Sequence, residues 1–365
     1  MNDGTFRPTR VEIDLDAIRH NVRSLTPAGV EVMAVVKANA YGHGDAAVAR
    51  AAIEAGATWL GVALVEEGIR LRDAGIDAPI LILSEFPTGS EHDALASRLT
   101  PTLYTDDGLA RLTQAADGTP IPVHVKVDTG MHRAGIHPPG DTPRFVERVA
   151  EAGLVLDGLW THLARSEEDD VATKEQLALF LSVLDDVRAS GHTPRLVHTA
   201  NSAATILHPD SHLDLVRLGI AMYGIEPALG VGTGLRPALT WRSAIAMVKR
   251  LPAGDRISYG HRYELKRDSW VATVPVGYAD GYPRTLSSRA EVLIRGRRCG
   301  TAGSVTMDHL MVDCGDLEPL PGDDVVLVGT QGDETITAWE LAERAGTIAY
   351  EIVTRIGDRV PREHH

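Results

Sequence analysis

Cysteine is nearly absent from this 365-residue chain, which has only two, Cys299 and Cys314. They are too few for a disulfide framework and lack metal-ligand spacing, so both read as reduced thiols and no metal is expected. Long apolar runs are missing as well. None approaches the roughly 18 residues of a membrane span. The first twenty residues carry Asp3, Glu12, Asp14 and Asp16 where a secretory leader would be basic and then apolar, so the expected location is the cytoplasm, away from any membrane. Basic charge is in deficit: 36 Lys and Arg stand against 50 Asp and Glu, a net charge of −14. A nucleic-acid partner is not expected, because displacing counterions needs a basic face. Neither G-x-G-x-x-G after a strand nor G-x-x-x-x-G-K-[ST] occurs, which argues against a Rossmann or P-loop protein.

What remains is an ordinary globular composition, 44% hydrophobic and 24% charged, long enough for two or three domains at roughly 150 residues each. Apolar β-rich runs end near Val36, Ala63, Leu83, Tyr104, Val127, Trp160, His198 and Leu218, with amphipathic stretches between most of them. Residues 45–56 and 173–190 read as helices, each stopped by a glycine. Eight strands with intervening helices predict a (β/α)8 TIM-type barrel. After the Gly- and Pro-rich segment 226–237 the helical intervals vanish, and residues 239–330 read as short strands and turns, followed by a helix near Ala338–Arg344. The expected domains are a barrel over 12–235 and a mainly antiparallel β domain over 236–365, with residues 1–11 packing against the latter.

In a barrel the chemistry sits where the strands end. The first strand runs into Lys37, Asn39, Tyr41, Gly42, His43 and Gly44. The fifth carries Lys126 and Asp128 and leads to Arg133, the sixth ends at His162, the seventh at His198, Asn201 and Ser202, and the eighth holds Arg217 with Gly219 beyond it. Lys37 follows an apolar run, and such a strand end lowers the pKa of an ammonium, which suits a Schiff-base nucleophile. A surface lysine capping a strand reads equally from that position alone. Ser202 alone reads as well as a helix N-cap.

The string AVVKANAYGHG (34–44) resembles the pyridoxal-phosphate lysine segment of the alanine racemase family. VKVDTGMHRAG (125–135), WTHLA (160–164), HTANSAA (198–204), VRLGIAMYG (216–224), ISYG (257–260), VGYADGYPR (276–284), TMDH (306–309) and YEIVTRIGDRVPR (350–362) extend the resemblance over nearly the whole chain, in the family's order. The resemblance implies a barrel followed by a β domain, pyridoxal 5′-phosphate as cofactor and a two-base racemisation. Lys37 would carry the cofactor and act on one face of the substrate Cα, with Tyr259 on the other. A free tyrosine has a pKa of about 10, so His162 and Arg217 would have to stabilise its phenolate. It further implies Arg217 as partner of the cofactor ring nitrogen, with His162 and His198 in its hydrogen-bond network. Tyr41, Asn201, Ser202, Gly219, Ile220 and Tyr350 would complete the cofactor site, the phosphate lying beyond strands 7 and 8. Arg133 and the Met307 amide would hold the substrate carboxylate, a carbamylated Lys126 would orient Arg133, and Tyr278 would line the entrance. The family's active sites are shared between the subunits of a homodimer.

Two positions depart from the family's usual pattern: His132, before Arg133, is commonly Gly, and Thr306, before Met307, is commonly Cys. Both flank the substrate carboxylate contacts, so a racemase of serine or a larger polar amino acid is the alternative to alanine. A non-catalytic pyridoxal-phosphate-binding protein is a third reading. It predicts a lone barrel, whereas this chain continues to Tyr259 and beyond.

Overall fold

The computed structural model describes residues 6–231 and 234–365, which fall into two compact units. One comprises 16–40 and 45–236. Its eight parallel strands are β1 (Glu31–Val35), β2 (Trp59–Val62), β3 (Ile80–Ile82), β4 (Thr102–Leu103), β5 (Pro122–Lys126), β6 (Val155–Trp160), β7 (Leu196–His198) and β8 (Leu215–Leu218). Each ends within about one residue of the apolar run that announced it.

Parallel ladders run β3–β2–β1–β8 and β4–β5–β6–β7. The two sheets are joined by a parallel bridge between Leu81 and Thr100 and by bonds from Asp214 N–H to Val197 O (3.0 Å) and Arg217 N–H to Ala200 O (3.0 Å). The ring is therefore closed and leaves no free sheet edge. Helices fill the intervals. Asp170–Ala189 is started by the Asp169 carboxylate accepting the Ala172 N–H at 3.0 Å and buries Leu177, Phe180, Val183, Leu184 and Val187 along one face. Each such side chain contributes roughly 1.5–3 kcal/mol by leaving water.

The other unit gathers the described residues up to Leu15, Tyr41–Gly44 and 237–365. Its main sheet is antiparallel through Met247–Leu251, Ser269–Val274, Leu310–Gly315, Arg297–Thr301, Glu291–Ile294, Asp324–Gln331 and Leu239–Ala244. Arg10–Ile13 adds antiparallel to Leu239–Ala244 and parallel to Arg362–His364. The helix Ala338–Ala345 is capped by the Thr337 hydroxyl. Gly42 explains why Tyr41–Gly44 group here: a Cβ on it would fall 2.3 Å from the Val353 carbonyl, so only glycine permits this approach. Both cysteines are free and buried, and no described helix is long and apolar enough to cross a membrane.

Candidate active site

Lys37 leaves the end of β1 into backbone of the wrong hand. Ala38 (φ 53°, ψ 51°), Asn39 (53°, 48°) and Ala40 (51°, 53°) are left-handed, as is Tyr41 (φ 52°). For non-glycine residues this costs roughly 1–2 kcal/mol each, so something must hold the turn. The buried Glu67 carboxylate accepts the Ala38 N–H at 2.6 Å on one oxygen and the Ala63 and Leu64 N–H groups at 2.8 and 3.1 Å on the other. Asn39 Oδ1 accepts the Asp45 N–H at 3.0 Å. Burial, and then the Arg133 charge, lower the Lys37 pKa against a smaller opposing pull from Glu67. Its amine makes no hydrogen bond among the described residues.

Strands β5 to β8 supply a buried polar chain. In β5, His124 and Lys126 alternate with Val123 and Val125 and so share one face. Arg217 of β8 donates from Nη1 to His198 Nδ1 (2.9 Å) and from Nη2 to the Thr161 and Thr199 carbonyls (2.9 Å each), with His162 Nδ1 at 3.3 Å. A guanidinium only donates, so both imidazoles accept on Nδ1 and carry their proton on Nε2. His198 Nε2–H then donates to His124 Nδ1 at 3.0 Å, leaving the His124 proton on Nε2, 3.5 Å from the Asp157 carboxylate. Burial, reinforced by Arg217, holds His162 and His198 well below the usual histidine range, so both are neutral. Burial lowers Arg217 itself only to about 9, and it stays charged at neutral pH.

Trp160 stacks on His198 (5.4 Å, 9° between planes) and receives two cations, Lys126 Nζ at 4.4 Å and the Arg217 guanidinium carbon at 4.9 Å from its ring. Lys126 is buried with no hydrogen-bond acceptor among the described residues, and burial followed by Arg133 and Arg217 pushes its pKa down to about 8. The Asp128 carboxylate pulls the other way. Burial alone would raise the Asp128 carboxyl, but the His132 and Gly130 N–H groups outweigh it and hold it below the usual range.

Ser202 is not the helix cap. That place belongs to Asn201, whose Oδ1 accepts the Ala204 N–H (3.0 Å) and the Ser166 hydroxyl (2.9 Å). Ser202 Oγ instead accepts the Gly219 N–H at 2.8 Å and the Ala221 N–H at 3.3 Å, tying the loop after β7 to the turn Ile220–Tyr223 after β8.

The remaining expected residues lie in the second unit. The Tyr41 and Tyr350 rings approach to 6.2 Å. Tyr259, Met307 and Tyr278 belong to loops knotted together by Ser304 Oγ–H to Tyr259 O (3.1 Å), Tyr278 N–H to Thr306 O and Ala279 N–H to Met307 O (3.0 Å each). These three residues stay 75%, 53% and 42% exposed.

Residues 13–227 match the alanine racemase N-terminal domain family and residues 238–364 the C-terminal domain family. The chain belongs to the alanine racemase family. The alanine racemase of Symbiobacterium thermophilum is 50% identical over 98% of this chain and 97% of its own length, and that of Carboxydothermus hydrogenoformans 43% over 98% and 99%. The solved alanine racemase of Streptomyces coelicolor superposes with a TM-score of 0.95 at 42% identity over 100% of this chain and 99% of its own. That of Bacillus anthracis, solved with bound L-Ala-P, gives 0.93 at 40% over 99% and 96%.

Alanine racemases depend on pyridoxal phosphate, and the barrel fits it. Three donors of the required kinds have no acceptor among the described residues: the Lys37 amine, the Arg217 Nε–H and the Ser202 O–H. They suit an aldehyde, a ring nitrogen and a phosphate respectively. Nothing in these relatives favours the polar-substrate alternative, and the two residues that suggested it are spent locally. His132 turns to Asp128 at 3.4 Å, while Thr306 Oγ1 donates to the His309 carbonyl at 2.8 Å and accepts its N–H at 3.0 Å. His124, Asp157 and Glu67 went unnoticed in the sequence. The signal for His124 was its place two residues before Lys126 on the same strand face.

Proposed function

We propose that this chain interconverts L- and D-alanine by moving a proton on and off Cα from two opposite faces. The observation that carries the reading is the trio of unspent donors on the barrel's strand ends, Lys37, Arg217 and Ser202. Pyridoxal phosphate bound there would supply an electron sink that makes the Cα–H bond acidic. Lys37 would hold the cofactor's aldehyde and then, displaced by the substrate amine, take the proton on one face. Its lowered pKa enlarges the neutral fraction able to do so. Tyr259 would return a proton on the other face, inverting the carbon without turning the substrate over. The His162 Nε2–H and the Arg217 cation are the groups suited to steady its phenolate.

Arg217 would offer Nε–H to the ring nitrogen and keep its proton, which confines negative charge nearer Cα and favours reprotonation there. Tyr41, Asn201, Ser202, Gly219, Ile220 and Tyr350 would secure the phosphate end. Arg133 and the Met307 N–H would receive the substrate carboxylate. Lys126, crowded by two guanidiniums, would be carbamylated, which exchanges a third cation for an anion that orients Arg133. The exposed Tyr259, Met307 and Tyr278 are what a second copy would cover, so we assign them to the partner's site in a homodimer, with Tyr278 at its entrance. A cytoplasmic enzyme of this kind would supply D-alanine for peptidoglycan.

The test is chiral analysis of purified, cofactor-loaded protein given L-alanine or L-serine. D-alanine should accumulate to equality with L-alanine, and far faster than D-serine forms. No D-alanine despite an intact cofactor absorbance would refute racemisation, and full activity in an isolated monomer would refute the shared site.

A further inference from the structure

We propose that Asp128, His132 and His137 form a binding site for one divalent transition metal of the zinc class, on the loop that leaves β5. Their spacing in sequence matches no metal signature. The loop's closure is what brings them together. Ile136 N–H donates to Lys126 O (2.9 Å) and Asp128 N–H to Ile136 O (3.1 Å), so His137 is returned beside Asp128. Gly135 permits that return, since at φ +136° a Cβ there would lie 2.6 Å from Asp128 N.

The carboxylate is preorganised. Asp128 is buried, and its Oδ1 accepts the Gly130 and His132 N–H groups at 3.0 and 2.9 Å, which leaves Oδ2 facing His132 Nδ1 at 3.4 Å. His132 is held at φ +52°, so its backbone has little room to drift. The two imidazoles meet edge to face, with centroids 5.4 Å apart and planes at 90°. One potential ligand atom from each residue lies within 4.8 Å of the others. Bonds of about 2.0–2.2 Å to a common centre require the atoms to close only a little further, and both exposed histidines can rotate to do so.

Two imidazoles and one carboxylate suit zinc, cobalt or nickel, whereas calcium and magnesium would want oxygen donors throughout. Three protein ligands leave a coordination position open. Arg133 follows His132 directly, so an occupied site sets a dication one residue from the guanidinium assigned to the substrate carboxylate. The binding itself does not depend on the racemase reading.

The test is titration of the cofactor-loaded protein with cobalt(II), read in the visible d–d bands beyond the cofactor's absorbance, with zinc(II) as competitor. We expect one cobalt per chain, displaced by zinc. His137→Ala and His132→Ala should each weaken binding more than about 100-fold, beyond what loss of an outer-shell partner produces. His137→Ala should keep its circular dichroism and its metal-free racemisation. Absence of d–d bands at saturating cobalt, or the same stoichiometry and affinity in His137→Ala, would overturn the site. Loss of racemisation with metal binding intact would count against the functional reading alone.

Discussion

Gly158→Ala offers a sharp probe of the buried polar chain. Gly158 of β6 pairs with His124 of β5, and a Cβ on it would lie 2.3 Å from His124 Nδ1 and 2.5 Å from Cε1 and Cγ. Ordinary contact needs about 3.5 Å or more, so the ring must retreat by roughly 1 Å. It has nowhere to go: His124 is fully buried, with Trp59 at 5.3 Å and His198 at 5.1 Å between centroids. Overpacking of this kind costs about 1–3 kcal/mol. Displacing Nδ1 from the His198 Nε2–H leaves buried polar atoms unpaired, about 1–3 kcal/mol more. The expected loss is therefore about 2–6 kcal/mol. Urea unfolding followed by tryptophan fluorescence would measure it, since Trp59 and Trp160 flank the chain. The decisive arm is a double-mutant cycle with His124→Ala, which removes the obstructing ring. In that background Gly158→Ala should cost less than about 1 kcal/mol, a coupling energy of roughly 3. If it costs as much with the imidazole gone, the clash is not the cause and the reasoning fails.

Other expectations are equally direct. Lys37→Ala should abolish the visible absorbance of the bound cofactor, and persistence of that band would remove the lysine from its role. Because the enantiomers are equally stable, Tyr259→Phe must slow both directions alike, by about 100-fold or more. Its distinguishing sign is that deuterium exchange at Cα survives from one enantiomer only, and equal survival from both would contradict two opposed bases. Protein equilibrated with 13C-labelled bicarbonate should show a carbamate carbon resonance that Lys126→Ala removes, and no such resonance in the parent protein would sink the modification. Burial raises Tyr41 to about 12 and pushes Tyr282 higher still, above an unfolded value near 10. Both phenols are protonated in either state below pH 10, so this contribution is intact there. Above it the unfolded chain sheds protons that the folded one retains, and stability should fall by about 1.4 kcal/mol per pH unit for each tyrosine until the folded pKa is passed. A flat urea midpoint between pH 9.5 and 11.5, both set as rough assay limits around that value, would contradict it.

The barrel was legible because its strands are nearly continuous apolar runs broken at their ends by polar residues. Closure buries both strand faces, and that leaves a plain hydrophobic signature. The turn after Lys37 was not legible. Ala-rich KANAY has the local preferences of a right-handed helix, and its opposite hand depends on Glu67, a residue 29 positions further along the chain whose carboxylate takes the Ala38 N–H. Asn201 and Ser202 illustrate a finer failure. Both are good caps, and the choice fell to Asn201 because the amides of Gly219 and Ala221 claim the Ser202 hydroxyl, a competition invisible within HTANSAA. The Arg217 chain was half legible: His162 and His198 stand at strand ends, whereas His124 lies inside a strand, where a histidine reads as packing.

The left-handed stretch after Lys37 has a consequence for how this protein can evolve. Four successive residues at positive φ exclude β-branched side chains, whose Cγ atoms collide with the backbone there. Drift in Ala38–Tyr41 is thereby confined to alanine, asparagine, glycine and the few other residues that tolerate this hand. The segment acts as a mutational filter independent of any contact its side chains make, and a lineage that lost the Glu67 anchor would lose the permitted alphabet of its neighbours with it.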